Sequence, residues 1–558
     1  MKVAGDPREL LFVPLGGVGE IGMNLALYGI GSDKGGGNWL CVDMGVSFGD
    51  DATPGVDLIM PDIRFLEAER RNLAAIVITH AHEDHVGALF DLWPKLKVPV
   101  YATPFTAALI ESKRAAEEGA PQIPVKVVPS GGRFTIGPFD VEYVPVAHSI
   151  PESHALALRT PLGLVVHSGD WKLDATPVVG ASTEEARFRA LGAEGVRALI
   201  CDSTNAIREG QSPSESDVAK SLVEIVRAAK GRVAVTTFAS NVARLRAAAL
   251  AAAAAGREVV VVGRAMERVI NVARELRLLD GVAPFRGPET YRAMPRDRVL
   301  LLLTGSQGEQ RAALARMAEE EHPEIALDPG DMLIFSSRTI PGNEKSVNRI
   351  INTMTRRGVE VVTDRHKLVH VSGHPRRGEL ALMYEWLKPE LAIPVHGEPM
   401  HLAEHAALAR SLGVPQVLVC YDGDVVRLAP GKAEKIDEVP SGRLYRDGNL
   451  LIEEGAKTLP ERRRLAFAGA VSVALALGER GDLVGDPVVE TSGLPETIGG
   501  EPMAQIVLDA VFDGYESLPK GRRRDADALA EAVERSVRGK VNAVWGKKPT
   551  CHVLVLQV

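Results

Sequence analysis

The segment Thr79-His80-Ala81-His82-Glu83-Asp84-His85-Val86-Gly87 places four candidate metal ligands within six residues, after an apolar strand-like run and ahead of a helix start. Side chains alternate along extended backbone, so His80 and His82 project to one face and can share a metal ion. Asp84 and His85 turn away into the helix and can reach a second ion. A solvated His-rich turn is the bland alternative, which the density of ligands disfavours. Two ions need further ligands, and only a few of the 14 histidines sit where strands end. His148 does, after Val144-Pro145-Val146-Ala147, and so does His396 in Ile393-Pro394-Val395-His396-Gly397-Glu398. Asp170, in His167-Ser168-Gly169-Asp170, offers a carboxylate able to bridge both ions.

These ligands need a large scaffold. The chain has 558 residues, enough for roughly three or four domains at about 150 residues each. Hydrophobic residues make up 45% and charged residues 25%, which excludes disordered and fibrous classes. The net charge of −8 gives no global basic field, so a nucleic-acid partner must be held by a local basic groove. Cys41, Cys201, Cys420 and Cys551 are widely spaced without a CxxC pair, which argues against a disulfide framework or a thiolate zinc site. Residues 1–7 show no signal-peptide pattern, and the alanine-rich run 247–255 is too short to span a bilayer. The expectation is a cytoplasmic protein with no membrane contact.

From residue 10 to about 170, short apolar runs at 11–15, 39–42, 75–79, 98–102, 141–146 and 162–167 alternate with Gly-rich turns. Helical periods at 107–118 and 184–191 make this region mixed α/β. From about 213 to 365, helices alternate with buried strands at 233–237, 259–263, 299–304 and 332–336, the rhythm of a parallel sheet. Strand-like runs at 391–395 and 417–421 follow, then a Pro-, Gly- and charge-rich stretch that reads as a linker. The last region reads as a strand at 465–477, an exposed loop at 485–502, a helix at about 525–537 and a strand at 552–558.

Asp43, His80-x-His82-x-Asp84-His85, His148, Asp170 and His396 together resemble the ligand set of the metallo-β-lactamase fold. Asp202 in Cys201-Asp202-Ser203-Thr204, His374 in His370-Val371-Ser372-Gly373-His374, and His396 resemble motifs A, B and C of the β-CASP nucleic-acid-processing group. Within that group the chain is similar to the bacterial ribonuclease J family. The strings Pro14 to Asn24, Phe238-Ala239-Ser240-Asn241, Thr304-Gly305-Ser306-Gln307-Gly308-Glu309 and Ile340-Pro341-Gly342-Asn343-Glu344 carry the likeness further. It covers about residues 8 to 450 and thins beyond them.

The resemblance implies an α/β protein with an αββα metallo-β-lactamase core, an inserted parallel-sheet β-CASP domain and a small α/β C-terminal domain. The corresponding boundaries are core at 8–212 and 366–430, insertion at 213–365, linker at 431–449 and C-terminal domain at 450–558. It implies two divalent ions, zinc with manganese or magnesium as alternatives, about 3.5–4 Å apart around a shared water and Asp170. His80, His82 and His148 would hold one ion, and Asp84, His85 and His396 the other. Asp43 would orient a ligand imidazole from behind. The expected catalytic residues are Asp84, His374 and Asp202, with His374 as proton donor to the leaving 3′-oxygen and Asp202 holding it. His370, Val371, Ser372, Gly373 and His374, with Ser240 and Asn241, would form a 5′-monophosphate pocket.

The implied activity is 5′-to-3′ hydrolysis of single-stranded, 5′-monophosphorylated RNA, with internal cleavage as well, in ribosomal-RNA maturation and messenger-RNA decay. A homodimer or homotetramer, joined through the C-terminal domain, and a place in an RNA-degradation complex are also implied. Arg356-Arg357, Arg376-Arg377, Arg462 to Arg464 and Lys520 with Arg522 to Arg524 are the local basic segments, with Arg376 and Arg377 best placed for phosphate contact. Gly16, Gly17 and Gly19 read as tight packing beneath the metal site and not as a dinucleotide fingerprint. The alternative is a small-molecule hydrolase on the same core, which leaves Asp202, Ser240, His374 and the insertion unexplained.

Overall fold

The computed structural model describes residues 8–31, 37–340 and 342–558; the N-terminal stretch 1–7 and Pro341, both read above, lie outside the described residues. The chain divides into two compact units, one holding the residues up to Phe48 with Leu58–Tyr445, the other Gly49–Asp57 with Arg446–Val558.

In the larger unit an eight-stranded sheet runs in the order Glu434–Glu438, Asp424–Ala429, Leu10–Gly16, Leu25–Gly31, Gly37–Val42, Leu73–Val77, Val100–Ala102, Val125–Val127. A seven-stranded sheet runs Gln416–Val417, Leu391–Val395, Val196–Asp202, Gly163–His167, Ser153–Thr160, Phe139–Val146, Arg133–Ile136. Phe12, Tyr28 and Leu40 from the first sheet meet Tyr143, Leu156 and Ile393 from the second in one core. The outer face of the second sheet packs Val144, Val166 and Leu199 against Phe188, Leu191, Met383 and Trp386 of the helices Glu185–Glu194 and Arg377–Leu387. On the first sheet Trp39 meets Phe65 of the helix Arg64–Glu69, ring centroids 5.3 Å apart, so layers of helix, sheet, sheet and helix follow, the αββα core.

The insertion has its own sheet, five strands in the order Glu258–Val262, Val299–Leu303, Val233–Thr236, Met332–Phe335, Glu360–Val362, every pair parallel. Its inner strands, Val-Leu-Leu-Leu-Leu, Val-Ala-Val-Thr and Met-Leu-Ile-Phe, are apolar almost throughout because helices cover both faces. Val242–Ala254, the alanine-rich helix, is one of them: its small side chains let it sit close on the sheet.

In the smaller unit the strands Val488–Ser492, Ala470–Leu477 and Thr550–Gln557 form a sheet covered on one face by the helices Met503–Glu516 and Ala526–Trp545. Several expectations shift here. The strand read at 465–477 begins only at Ala470, because Thr458–Ala468 is a helix that Gly469, at φ +66°, terminates. The loop read at 485–502 contains the strand Val488–Ser492 and a small hairpin of Thr497–Ile498 with Glu501–Pro502. The helix at 525–537 extends to Trp545, started by the Asp525 cap and ended by Gly546 in the left-handed region. The stretch 431–449 is not bare coil: Glu434–Glu438 and Arg443–Asp447 are strands. All four cysteines are unpaired, and Cys41, Cys201 and Cys420 are buried. Among the described residues no helix is long and apolar enough to cross a membrane.

Leu301 is fully buried in a strand paired on both sides. Leu301→Ala should therefore cost about 2–5 kcal/mol of unfolding free energy, read as a lower guanidinium midpoint at unchanged slope.

Candidate metal centre and substrate pocket

Each ligand-type side chain sits just past or at the C-terminal end of a core strand. The strand Leu73–Val77 delivers Thr79 and His80, and a four-residue helix Glu83–Val86, capped at its extended His82, turns Asp84 and His85 back toward the same point. His148 follows Phe139–Val146, Asp170 follows Gly163–His167, Asp202 ends Val196–Asp202, and His396 follows Leu391–Val395. Sheet geometry thus gathers residues that are hundreds of positions apart.

Two sets of ligand atoms converge, each with its atoms within 4.8 Å of one another: His80, His82, His148 and Asp170 in one, Asp84, His85, Asp170 and His396 in the other. In the first, His82 Nδ1 lies 3.1 Å from both His80 Nε2 and His148 Nε2. In the second, His85 Nε2 and His396 Nε2 lie 3.2 and 3.5 Å from Asp170 Oδ2, and 3.6 and 3.8 Å from Asp84 Oδ2. Asp170 Oδ2 also lies 3.8 Å from His80 Nε2 and 3.7 Å from His148 Nε2, so one oxygen faces both sets.

Hydrogen bonds on the far ring nitrogens aim these imidazoles. Asp43 accepts from His85 Nδ1 at 2.7 Å and from the Thr79 amide and hydroxyl at 2.7 and 2.8 Å. It does so at φ +63°, a conformation few non-glycine residues adopt. His148 Nδ1 bonds the Gly373 carbonyl at 2.7 Å, and His396 Nδ1 bonds Asn24 Oδ1 at 2.8 Å. Asn24 was not singled out in the sequence; its amide nitrogen also donates to the Asp84 carbonyl at 3.0 Å. The Gly-rich turn lies beneath His396, whose amide donates to the Gly17 carbonyl at 2.8 Å, while the Gly19 amide donates to the Gly397 carbonyl at 3.0 Å.

The donor chemistry fits a divalent cation. Burial holds His80 and His148 well below the usual imidazole range and His82 at about 4, so all three are neutral ligands at pH 7. Burial acts the same way on His85, but the carboxylates of Asp170, Asp84 and Asp43 outweigh it and raise His85 well above that range. Burial would lift the Asp170 carboxyl, yet His396, His85 and His374 hold it well below normal. The protein groups thus balance their carboxylates with an imidazole proton that a bound cation would displace.

A third group adjoins these. His374 Nδ1 lies 2.7 Å from Asp202 Oδ2 and 3.9 Å from Asp170 Oδ2. Burial opposes its charge, but Asp202 and Asp170 raise its pKa to about 9, so it carries a proton at neutral pH. The stretch before it has no regular secondary structure. Ser372 Oγ accepts from Asn205 Nδ2 at 2.8 Å, and Asn205, also missed in the sequence, donates to the His374 carbonyl at 3.1 Å. Val371 is buried, His370 half-buried. Gly373 admits no side chain, since a Cβ there would lie 2.5 Å from the His148 ring.

Asn241 caps the helix Val242–Ala254, accepting from the Arg244 amide at 2.9 Å, with Ser240 half-buried beside it. The basic segments divide. Arg377 pairs with Glu209 and Glu404, Arg357 with Glu320 and Arg462 with Asp447, whereas Arg376 buries an Nε without a partner among the described residues.

Family models match along the chain: a beta-lactamase superfamily domain at 51–237, the beta-CASP domain of ribonuclease J at 230–354, a Zn-dependent metallo-hydrolase RNA specificity domain at 358–419 and the ribonuclease J C-terminal domain at 457–558. With the fold and the His/Asp clusters, they define a metallo-β-lactamase-fold hydrolase carrying a β-CASP insertion. A ribonuclease J of Sinorhizobium meliloti is 54% identical over 552 residues, covering 99% of this chain and 98% of the relative. Ribonuclease J of Mycolicibacterium smegmatis is 38% identical over 99% of this chain and 98% of its own, and that of Thermus thermophilus 37% identical over 93% and 92%. The chain belongs to the ribonuclease J family. A crystal structure of a protein of unknown function from Enterococcus faecalis V583 shares the fold, with a TM-score of 0.52 at 16% identity over 75% of this chain and 100% of that one.

Loss of an outer carboxylate typically costs about 10–100-fold in metal affinity. Asp43→Asn, which weakens the grip on His85, should lower metal affinity by that order in a chelator-competition titration while the circular-dichroism spectrum is retained.

Proposed function

We propose that the protein is a metal-dependent ribonuclease that degrades single-stranded RNA from a 5′-monophosphate end, one nucleotide at a time, and also cuts internally. The observation that carries this reading is the single hydrogen bond from His148 to the Gly373 carbonyl, which joins a ligand of the metal cluster to the stretch His370–His374. On this reading a pocket for the 5′ end adjoins the hydrolytic site.

His80, His82 and His148 would hold one divalent ion and Asp84, His85 and His396 another, with Asp170 facing both sets. The chemistry that ions bound there would supply is activation of a water and neutralisation of phosphodiester charge. Asp43 and Asn24 keep His85 and His396 in ligand-competent orientation. His374, protonated and held by Asp202, donates a proton to the departing 3′-oxygen. The amides of Ser372 to His374, with His370, Val371, Ser240 and Asn241, receive the 5′-phosphate. Burial, then the cations Arg244, Arg338 and Lys172, hold His370 well below the usual imidazole range, so the pocket floor is a neutral ring in a positive field.

Zinc suits the imidazole-rich set, and manganese or magnesium suits the carboxylates. The same reading includes a cytoplasmic protein, assembly into dimers or tetramers, a place in an RNA-degradation complex, and work in ribosomal-RNA maturation and messenger-RNA decay.

The test is digestion of one RNA, labelled internally and at its 3′ end, bearing a 5′-monophosphate or a 5′-triphosphate. Mononucleotides from the first, slower loss of the second and no product with His82→Ala are expected. Intact RNA with the metal-loaded wild type would return the small-molecule hydrolase to the front. His374→Asn should lower kcat by about 10²–10⁴-fold, the range for general acid–base groups, with metal content unchanged by elemental analysis.

A further inference from the structure

Arg244 is an arginine with no solvent exposure, near the start of an alanine-rich helix, and no reacting step proposed above uses it. A buried guanidinium is tolerated only when its charge is paired and its donors are bonded. Arg244 Nη2 makes a fork to both oxygens of the buried Glu215, at 3.1 and 2.9 Å. Its Nη1 reaches three acceptors: the Ser336 carbonyl at 2.9 Å, the Ser336 hydroxyl at 2.7 Å and the Val369 carbonyl at 2.9 Å. The Ser336 hydroxyl itself donates to the Val369 carbonyl at 2.6 Å.

Val369 directly precedes His370, and residues 369–374 have no helical or sheet ladder to hold them. Their position rests on side chains: Arg244 and Ser336 at Val369, Asn205 at Ser372 and His374, His148 at Gly373. The opposite end of the charge chain returns to the metal cluster. The Glu215 amide donates to Asp174 Oδ2 at 2.9 Å, and the same oxygen lies 2.9 Å from Lys172 Nζ. Lys172 is two residues past Asp170, and its amide donates at 2.8 Å to the Ala147 carbonyl, next to His148. All four charged side chains are buried.

We infer that Arg244 is a positioning residue that sets selectivity for the 5′ end: pinned by the buried chain Lys172, Asp174, Glu215 and Arg244, the Val369–His374 stretch is held at a fixed place relative to Asp170 and His148. Arg244 touches neither RNA nor metal. It acts through the carbonyl of Val369, with Nη1 and Nη2 spread over acceptors on Glu215, Ser336 and Val369 while Nε has no partner among the described residues; a lysine cannot span the same acceptors. The inference rests on the 5′-end pocket proposed above.

The test measures kcat and KM on RNAs of one sequence bearing a 5′-monophosphate or a 5′-hydroxyl, with metal content and circular dichroism, for wild type, Arg244→Lys and Ser336→Ala. Ser336→Ala loosens the same pin without leaving a buried charge unpaired, so it tests the idea even where Arg244→Lys folds poorly. Arg244→Lys should lower the monophosphate-to-hydroxyl ratio of kcat/KM by about tenfold, the size of one lost charge-assisted hydrogen bond, and Ser336→Ala by about threefold. Activity on the 5′-hydroxyl RNA and metal content should stay within about twofold of wild type, since the metal ligands are untouched and His374 is held separately by Asp202 and Asn205. An unchanged ratio in Ser336→Ala, or equal losses on both RNAs, overturns the positioning role. A wild type that treats both RNAs alike refutes the 5′-end pocket itself, a different failure.

Discussion

One carboxylate oxygen organises the site. Asp170 Oδ2 has ring nitrogens of His80, His85, His148, His374 and His396 within 3.2 to 3.9 Å, in a place from which water is almost wholly excluded. A lone buried carboxyl would take up a proton, yet the surrounding imidazoles keep Asp170 ionised. To bring an oxygen that close to five rings, the chain turns through Gly169 at φ +54°, where a Cβ would strike the His154 carbonyl at 2.8 Å. The strand ends of both sheets must then meet at that oxygen, which is why Asp43 and His396 are both held in left-handed backbone.

The candidate ligands could be read because His80, His148, Asp170 and His396 each follow an apolar strand and because four of the set fall in one short segment. The alternation of strands with helices gave the insertion and its parallel sheet for the same reason. Asn24, Asn205 and Arg244 were not found, since their partners lie 372, 169 and 125 positions away and nothing local marks them. Asn24 did sit inside the Gly-rich string, whose purpose became clear only with His396 above it. Glu434–Glu438 escaped notice because it is an edge strand, exposed and charged along most of its length, which blunts pairing with other chains and erases the apolar period. In the smaller unit the apolar run 465–477 hid a helix end, and only Gly469 marked the change.

The insertion supplies a rigid reference. Helix Val242–Ala254 lies against the parallel sheet over its alanines, and that packing fixes the backbone from which Arg244 and Asn241 project. An irregular stretch such as Val369–His374 would otherwise pay for its order with little in return. Anchored to a packed helix at one end and to a ligand imidazole at the other, it is ordered by interactions that each half of the fold already makes.

Charge follows the same logic. With a net charge of −8 the chain has no long-range attraction for a polyanion, and several of its basic segments are already neutralised by carboxylates, as at Arg357, Arg377 and Arg462. Lys172 and Arg244 are paired too, with Asp174 and Glu215, yet together with Arg338 they are the cations that act on His370, with Arg376 acting on Arg338. Buried and half-buried cations are screened far less by salt than surface ones, and they act over a few ångströms. A field that short favours a group able to enter the pocket over one that merely passes along the surface. The terminal phosphate is the one doubly charged, sterically free group on an RNA strand, so on the function proposed above this distribution of charge favours an end over a length of backbone.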